Sequence, residues 1–360
     1  MIDSTSFERL HGIGLTADVI QQLATLRHGC TEPVLLRVTE VQREGLTLHD
    51  GQQEHASRLL PALRALLAAD GEAIAVGDWV LAQRNALREW WAHDRIPPLN
   101  QLARRLHDGR DKVTRVIIVS NVDTALLVMG LDHDFSLRRL ERFVALVQMA
   151  RVTPVVVLSK ADLCSEVQRR VEQVQALLPP EAAVVAVNAL DGASCEALAP
   201  WMQRGQTLVL LGSSGTGKST LTNTLVGHEV ADTGANRSGD SRGRHTTTVR
   251  SLHRTLHGAC IIDTPGLRTL RLDGDAAEIG VAFGDIAHLA SNCRFRDCRH
   301  EGEPGCAVRD QVPPERLKNY NRLLREARRD TLTALERKVQ VQQWKARGRQ
   351  ARIRSEAKRG

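Results

Sequence analysis

Long apolar segments are absent from this 360-residue sequence. No stretch approaches the roughly 18 consecutive apolar residues of a membrane span, and the N-terminus lacks the basic and then apolar layout of a secretory signal. We therefore expect no membrane association and no export, and place the protein in the cytoplasm. With 42% apolar and 25% charged residues, the composition is that of two or three ordinary globular domains.

Cysteine is also scarce, with seven residues in the whole chain. A small and odd number in a chain of this length argues against a disulfide framework. Three of the seven nevertheless crowd between positions 293 and 306, which indicates a metal site. The others lack such company and are interpreted as small apolar core residues: Cys30, Cys164, Cys195 and Cys260.

Basic residues are distributed unevenly. The formal net charge is +7, but residues 315–360 contain 15 Lys and Arg against 5 Asp and Glu, which leaves 34 basic and 37 acidic residues in positions 1–314. This asymmetry favours an anionic partner. Because the tail has basic residues on most helical faces and no strong apolar stripe, nucleic acid is favoured over a membrane; a solvated helix that aids solubility is the alternative.

The first hundred residues predict a β-rich domain. A short helix is expected within 7–26, and short apolar strands bounded by turns follow at 34–39, 46–48 and 79–81. Strands this short are typical of a small barrel, and we interpret the region as an OB-like barrel. The tandem Trp90 and Trp91 could stack on RNA bases, but packing against the barrel or the next domain is favoured.

Apolar strands alternate with helical segments from about residue 113 to 263. The alternation predicts a doubly wound α/β domain, followed by a cysteine-rich loop, a helix beginning near Pro314 and the basic tail. The strands are continuous apolar runs, as expected of strands buried on both faces, at 116–119, 125–129, 154–158, 183–187, 208–211 and 260–262. Helical periodicity lies between them at 137–150, 166–178 and 195–202.

A glycine-rich loop after the strand 208–211 is the strongest motif. It precedes a helical segment, and this strand–loop–helix setting is the one that a P-loop for a nucleoside triphosphate requires. Its glycines let backbone N–H groups surround the phosphates, Lys218 reaches the β- and γ-phosphates, and Ser219 is a ligand for Mg²⁺. The loop consists of Gly212, Ser213, Ser214, Gly215, Thr216, Gly217, Lys218, Ser219 and Thr220.

Two further phosphate elements follow the P-loop. Asp263 ends the strand 260–262, where its carboxylate can bind Mg²⁺ through water, and the Gly266 N–H can face the γ-phosphate. The segment 232–243 is rich in Gly, Ser, Asp and Arg and leads into Gly-Arg-His-Thr-Thr-Thr at 243–248. We interpret it as a switch whose threonine, taken as Thr248, closes on Mg²⁺, with a plain surface loop as the alternative.

The loop after the strand 154–158 is interpreted as the base-recognition loop. Asp162 can accept two hydrogen bonds from guanine N1 and N2, a donor pair that adenine lacks, while the stem of Lys160 covers the base. GTP is therefore favoured over ATP, and an ordinary strand-to-helix turn is the alternative. The loop consists of Ser159, Lys160, Ala161 and Asp162, and the next strand is followed by Asn188 and Ala189, which can offer a backbone N–H to guanine O6.

The order of these motifs indicates a circular permutation. In an ordinary GTPase the P-loop precedes the base loop, whereas here the base loop comes about 50 residues earlier. Since new termini are tolerated in surface loops, the sheet can survive the rearrangement. The Asp263 element then runs directly into the C-terminal region.

That region carries four metal ligands within fourteen residues. Three thiolates and one imidazole form a closed tetrahedral set suited to one structural Zn²⁺, with no open position for catalysis. Reduced surface cysteines with an incidental histidine are the alternative. The ligands are Cys293, Cys298, His300 and Cys306.

Over nearly its whole length the chain resembles the family of ribosome small-subunit-dependent GTPase A proteins, RsgA or YjeQ. The resemblance implies a slow GTPase, stimulated by the small (30S) ribosomal subunit, that acts late in subunit maturation and binds ribosomal RNA through its barrel and zinc domain. It rests on GSSGTGKST, GRHTTT, DTPG, NVDTALLV, LRRLERFV and CRFRDCRHEGEPGCAV, at 212–220, 243–248, 263–266, 121–128, 137–144 and 293–308.

Two positions depart from the family pattern. Ser159 stands where the family usually has Asn, and Asn188 stands where it usually has Ser. Because serine is shorter and can make fewer bonds between base loop and P-loop, a lower guanine affinity is expected. Leu267 follows the Asp-Thr-Pro-Gly element, where many GTPases carry a glutamine that orients the attacking water. The candidate for that role here is His245. The alternative interpretation is that His245 is simply exposed to solvent.

We therefore predict a monomeric, multidomain GTPase that takes GTP with Mg²⁺ and releases GDP. The alternative is a nucleotide-regulated RNA-binding assembly factor in which hydrolysis is incidental, and an ATPase or kinase is disfavoured by Asp162. The predicted parts are an N-terminal segment and OB-like barrel at 1–100, a circularly permuted P-loop α/β G domain at 101–273, a zinc-binding domain with helices at 274–330 and the basic tail at 331–360.

Overall fold

The structure, a computed structural model, divides into two units. The first comprises residues 1–104 and 115–270, and the second comprises 105–114 and 271–360. None of the helices in the described part of the chain has the length and apolar character needed to cross a membrane. The described residues are 3–27, 29–107, 113–178, 182–231, 250–264, 279–280 and 283–331.

The N-terminal segment forms two helices, so the prediction of one short helix within 7–26 was wrong. Helix α1 spans Ser4–His11 and α2 spans Ala17–Thr25. Gly14 has φ +91°, a conformation that interrupts a helix and that glycine adopts without strain. The Thr16 hydroxyl then accepts the Val19 N–H at 3.4 Å and caps the second helix.

A closed five-stranded barrel follows, which confirms the barrel prediction. Strand β1 pairs with both β2 and β4, and β3 and β5 complete the circle. Two strands were not predicted, because charged residues interrupt their apolar ones, and the helix between β3 and β4 was not predicted either. The elements are β1 Val34–Val41, β2 Leu46–His49, β3 Glu54–Leu59, α3 Pro61–Ala69, β4 Trp79–Arg84 and β5 Trp90–Arg95.

The predicted α/β domain is a six-stranded sheet, in which the first five strands in the spatial order β10-β9-β8-β11-β13-β12 are parallel. Strand β12 is antiparallel to β13 and also meets β1 of the barrel at the pair Glu40–Ser251. The sheet therefore continues into the barrel. Its strands are β8 Thr124–Gly130, β9 Thr153–Ser159, β10 Ala183–Ala186, β11 Thr207–Leu211, β12 Ser251–Arg254 and β13 Cys260–Asp263.

Two sequence predictions within this domain were correct only in part: one predicted strand lies outside the parallel sheet, and one predicted helix is mostly 3₁₀. The strand expected at 116–119 is β7, Val113–Ser120, which pairs with β6, Gln101–His107, in a separate two-stranded sheet. The helix expected at 195–202 is a short α6, Gly192–Cys195, followed by a 3₁₀ segment, Glu196–Trp201. Pro200 lies inside that segment and cannot donate a helical hydrogen bond.

The remaining helices of the domain agree closely with the periodicity. Helix α4 spans Leu137–Met149, α5 spans Val167–Gln175 and α7 spans Lys218–Val226. Helix α7 buries Leu221 and Leu225 in a core formed with β8, β9, β11 and β13. This packing fixes the start of α7 at the carboxyl edge of the sheet, where β11 ends.

The second unit contains three described helices. The helix expected near Pro314 is confirmed as α10, Pro314–Thr331, and it follows α8, Gly284–Ala290, and α9, Ala307–Gln311. Arg316 of α10 holds Asp285 of α8 at 2.9 Å and lies over the Phe283 ring. Of the basic tail, residues 332–360 lie outside the described residues, and the four-part division of the chain remains an interpretation.

Candidate functional site

The predicted P-loop connects the end of β11 to the start of α7. Gly212 has φ +155°, and a Cβ there would collide with the carbonyl oxygen of Val128. Gly217 has φ +86° and precedes the first residue of α7, Lys218. Glycine is required at these positions because the backbone is left-handed at both and approaches β8 closely at the first. The N-terminus of α7 therefore faces the loop, which is the geometry that binds phosphate groups.

Side chains within the P-loop hold its curvature. The Thr216 hydroxyl donates to the Ser213 carbonyl at 3.0 Å, and the Lys218 ammonium donates to the same carbonyl at 2.5 Å. Burial lowers the pKa of Lys218, while the charges of Asp263 and Asp134 oppose that effect. The lysine is thus a partly desolvated cation within a pocket of negative charge.

Asp263 lies at the end of β13, next to the end of β11 in the sheet. It is 7% exposed, and burial raises its pKa, which the nearby Lys218 opposes. The following residue, Thr264, donates its hydroxyl to the Leu210 carbonyl at 2.7 Å and holds the strand ends together. Gly266, His245, Thr248 and the predicted switch 232–243 lie outside the described residues.

The predicted base loop follows β9 and contacts the P-loop directly. Ser159 is fully buried, and its hydroxyl donates to the Thr216 carbonyl at 2.6 Å. Lys160 has φ +60°, and its ammonium lies 2.6 Å from Asp132 Oδ2 in the loop after β8. Asp162 is exposed. The serine that replaces the usual asparagine therefore still connects base loop to P-loop, through one hydrogen bond.

The loop after β10 is tied to α7. Asn188 donates its N–H to the Ser194 hydroxyl at 2.9 Å, and its side-chain oxygen accepts the Leu190 N–H at 3.0 Å. The Ala189 carbonyl accepts the Thr224 hydroxyl of α7 at 2.6 Å. Both predicted base loops are thus held by the P-loop and its helix, and all three lie at one edge of the sheet.

The four predicted metal ligands converge in the second unit. Their ligand atoms all lie within 4.8 Å of one another. His300 Nδ1 lies 3.4 Å from Cys306 Sγ and 3.7 Å from Cys293 Sγ. Desolvation and the neighbouring sulfur atoms raise the pKa of the Cys298 thiol to about 11. Three sulfurs and one imidazole fit Zn²⁺ in donor type and number.

Glu303 organises the loop that carries His300. Its carboxylate accepts the backbone N–H groups of Arg299, Glu301 and Gly302 at 2.9–3.1 Å. These hydrogen bonds lower the pKa of Glu303 to about 2. His300 itself has φ +59°, and the hydrogen bonds on both sides of it stabilise that left-handed backbone.

The comparisons with known proteins agree with this geometry. The RsgA GTPase family model matches residues 97–273. The small ribosomal subunit biogenesis GTPase RsgA 2 of Vibrio vulnificus is 44% identical over 275 residues, which cover 75% of this chain and 77% of that protein. The corresponding RsgA of Xylella fastidiosa (strain 9a5c) is 42% identical over 293 residues, which cover 80% of this chain and 84% of that protein. The chain belongs to the RsgA GTPase family.

Two solved structures share the fold. YjeQ from Thermotoga maritima is 22% identical with a TM-score of 0.61, covering 82% of this chain and 99% of that one. YloQ, described as a circularly permuted GTPase, is 23% identical with a TM-score of 0.58. The match covers 86% of this chain and 99% of the YloQ chain. The predictions of the RsgA family, of a GTPase and of a permuted G domain are confirmed.

Sequence reasoning missed three residues that support the site in this RsgA-family chain. Asp132 holds Lys160, Thr224 holds Ala189, and Asn223 bonds the backbone of Val230 and Ala231 just before the segment 232–243. None of these three residues belongs to a recognisable sequence motif, since one is a polar residue after β8 and two lie on the P-loop helix. Only their position next to recognised loops could have singled them out.

The tandem tryptophans have different surroundings. Trp90 packs against the barrel core, with Arg84 over its ring at 4.8 Å and His55 at 5.3 Å between ring centres. Trp91 lies beneath Arg58, at 5.8 Å from the ring centre. The favoured interpretation, packing against the barrel, is therefore supported for Trp90.

Proposed function

We propose that this protein hydrolyses GTP to GDP and phosphate as a maturation factor of the small ribosomal subunit. The observation that carries the proposal is the hydrogen bond from Ser159 to Thr216, which holds a guanine-type loop against a P-loop at one edge of the sheet. The names of its RsgA relatives, all small ribosomal subunit biogenesis GTPases, supply the biological setting.

The phosphates bind to the P-loop, 212–220, and the N-terminus of α7. Lys218 places its charge on the β- and γ-phosphates, where its partial desolvation strengthens the interaction. A bound Mg²⁺ neutralises phosphate charge, and its ligands would be Ser219, Thr248 and, through water, Asp263. Both described members of this set are oxygen donors at the carboxyl edge of the sheet, which fits the ion. The Gly266 N–H contacts the γ-phosphate.

Guanine is recognised by the two loops after β9 and β10. Asp162 is exposed to solvent, and its carboxylate accepts hydrogen bonds from the N1 and N2 groups of the base. Lys160 covers one face of the ring with its stem. Since the Asn188 N–H is donated to Ser194, we assign the contact with O6 to the Ala189 N–H.

Hydrolysis requires a group that orients the attacking water. Leu267 is aliphatic and cannot do so, and we propose His245 for this role when the segment 232–248 closes over the γ-phosphate. The small (30S) subunit would stimulate the reaction by stabilising that closed state.

The barrel, the zinc-binding domain and the basic tail are proposed to bind ribosomal RNA. Exposed arginines surround the metal cluster, and Phe295 is 42% exposed beneath Arg294. One structural Zn²⁺ held by Cys293, Cys298, His300 and Cys306 would fix this surface. The protein acts in the cytoplasm as a monomer late in subunit maturation, and hydrolysis drives release of an assembly factor.

The deciding experiment measures GTP turnover with and without purified small ribosomal subunits, and competition of labelled GTP by ATP. We expect a rate increase with subunits and no competition by ATP. Equal rates with and without subunits would remove the ribosomal role. Release from subunits that is independent of hydrolysis would instead identify an RNA-binding factor with incidental turnover.

A further inference from the structure

The loops that follow β8 and β9 leave the sheet side by side. Gly130 and Ser159 are partners at the ends of these parallel strands. The Leu131 N–H then donates to the Ser159 carbonyl at 3.0 Å, so the pairing extends one residue beyond the strands. Asp132 and Lys160, the next residues on each side, therefore start from adjacent backbone positions.

Asp132 divides its carboxylate oxygens between the two loops. Oδ1 accepts the Asp134 N–H at 3.0 Å and closes a turn within its own loop. Oδ2 accepts from the Lys160 ammonium at 2.6 Å. The Asp132 side chain is 23% exposed and that of Lys160 is 28% exposed, so solvent screens this pair less than a surface pair. The hydrogen bonds from Lys160 and Asp134 outweigh burial and lower the pKa of Asp132.

The lysine is thus held at both ends. Its backbone is in the left-handed region, at φ +60°, and its ammonium is fixed by Asp132. A lysine side chain has one of the largest rotamer entropies, and a group that is ordered before binding loses less of that entropy on binding. The side-chain tie from this loop to the P-loop is the hydroxyl of Ser159, where the family usually has the longer asparagine.

We propose that Asp132 is a positioning residue for base recognition, because its hydrogen bond to the Lys160 ammonium orders the side chain whose stem covers the base. This inference rests on the proposed function, since it takes 159–162 as the guanine loop. Asp132 itself touches no nucleotide atom and acts through Lys160 alone.

The test uses the full-length protein with Asp132→Asn, which keeps an oxygen acceptor for the Asp134 N–H but loses the ion pair. Dissociation constants for GTP, GDP and ITP are measured by titration calorimetry, together with kcat at saturating GTP. We expect the three constants to rise by one common factor, roughly three- to tenfold for a partly buried pair and one ordered side chain, and kcat to stay unchanged.

A double-mutant cycle separates positioning from general loop stability. In a Lys160→Met background the stem remains but the ammonium is gone, so Asp132→Asn is expected to have no further effect on the three constants. Glu166→Gln is the matched control, because that carboxylate pairs with Arg169 on the exposed surface of α5 at 2.8 Å. It is expected to leave all constants unchanged.

Two outcomes overturn the inference. One is wild-type affinity in Asp132→Asn, and the other is an equal loss in the Lys160→Met background. Failure of the proposed function has a different signature: the wild-type protein would not bind GTP, or Asp162→Asn would leave the preference for GTP over ITP intact.

Discussion

Lys218 is a half-buried cation: desolvation lowers its pKa, and the negative charges of Asp263 and Asp134 oppose that effect. Phosphate binding replaces part of that environment with a stronger anion. Lys218→Ala removes the charge, and we expect turnover to fall by roughly 10²- to 10³-fold, as when an enzyme is deprived of one strong transition-state donor. The measurement is single-turnover GTP hydrolysis. Lys318→Ala, an exposed lysine on α10, is the control and should hydrolyse GTP at the wild-type rate.

Ser159 illustrates how much one hydroxyl can do at a fully buried position. Ser159→Ala leaves the Thr216 carbonyl without this donor. Leaving a buried polar group without its hydrogen-bond partner reduces the free energy of unfolding by about 1–3 kcal/mol. Because Thr216 belongs to the P-loop, we expect GTP and GDP to bind about tenfold more weakly. Titration calorimetry checks this. Ser291→Ala, whose hydroxyl bonds His288 on the surface, should bind both as the wild type does, and equal affinities in the two variants would contradict the role of Ser159.

At the scale of elements, the sequence predicts strands that are apolar throughout far better than strands that alternate. Strands β8, β9 and β11 are buried on both faces, and their apolar runs locate them to within a residue or two. Strand β3 carries Glu, His, Ser and Arg and bears no such signal. Strand β7 does have an apolar run, but nothing local tells that it pairs with β6 rather than with the parallel sheet.

The site shows the same division. The P-loop and the metal ligands are local motifs, because their spacing along the chain is dictated by one turn or one ion, and the structure places both sets as those motifs require. The pairs Asp132–Lys160 and Thr224–Ala189 join residues 28 and 35 positions apart. They depend on which strands are neighbours, so the sequence alone could not predict them. The assigned roles of the site residues remain predictions.

The metal loop is an element too small to have a core of its own. Zn²⁺ binding contributes on the order of 10 kcal/mol to the folding of isolated zinc peptides. We therefore expect Cys298→Ser to release zinc and to expose residues 293–306 to hydrogen exchange, while GTP affinity in the other unit largely survives. Elemental analysis and exchange mass spectrometry check both effects. Cys164→Ser, outside the cluster, should keep its zinc, and a wild-type protein without zinc would refute the site.

At the scale of the whole molecule, the basic residues of the tail are separated along the sequence from the nucleotide-binding residues. Residues 344–360 hold seven Lys and Arg against one Glu and lie far in sequence from every phosphate-binding element. Deleting them should weaken binding to small ribosomal subunits and flatten its salt dependence. The slope of log K against log salt concentration should become less steep by roughly 0.7 to 0.9 for each RNA phosphate that is no longer neutralised. Intrinsic hydrolysis should not change.

Co-sedimentation across a salt series with a non-hydrolysable GTP analogue measures that slope. A full-length chain with the seven basic residues replaced by Gln controls for length, and it should behave like the truncation. Identical slopes for all three proteins would show that the tail is a solvated appendage.

The pairing of β12 with both β13 and β1 has a mechanical consequence. Ser251 lies opposite Asp263 on one side and opposite Glu40 of the barrel on the other. Strand β12 is thus paired with β13 along its whole length and with β1 at one residue. Shifting the nucleotide-binding sheet against the barrel would therefore have to break the Glu40–Ser251 pair, which joins the two into one continuous sheet.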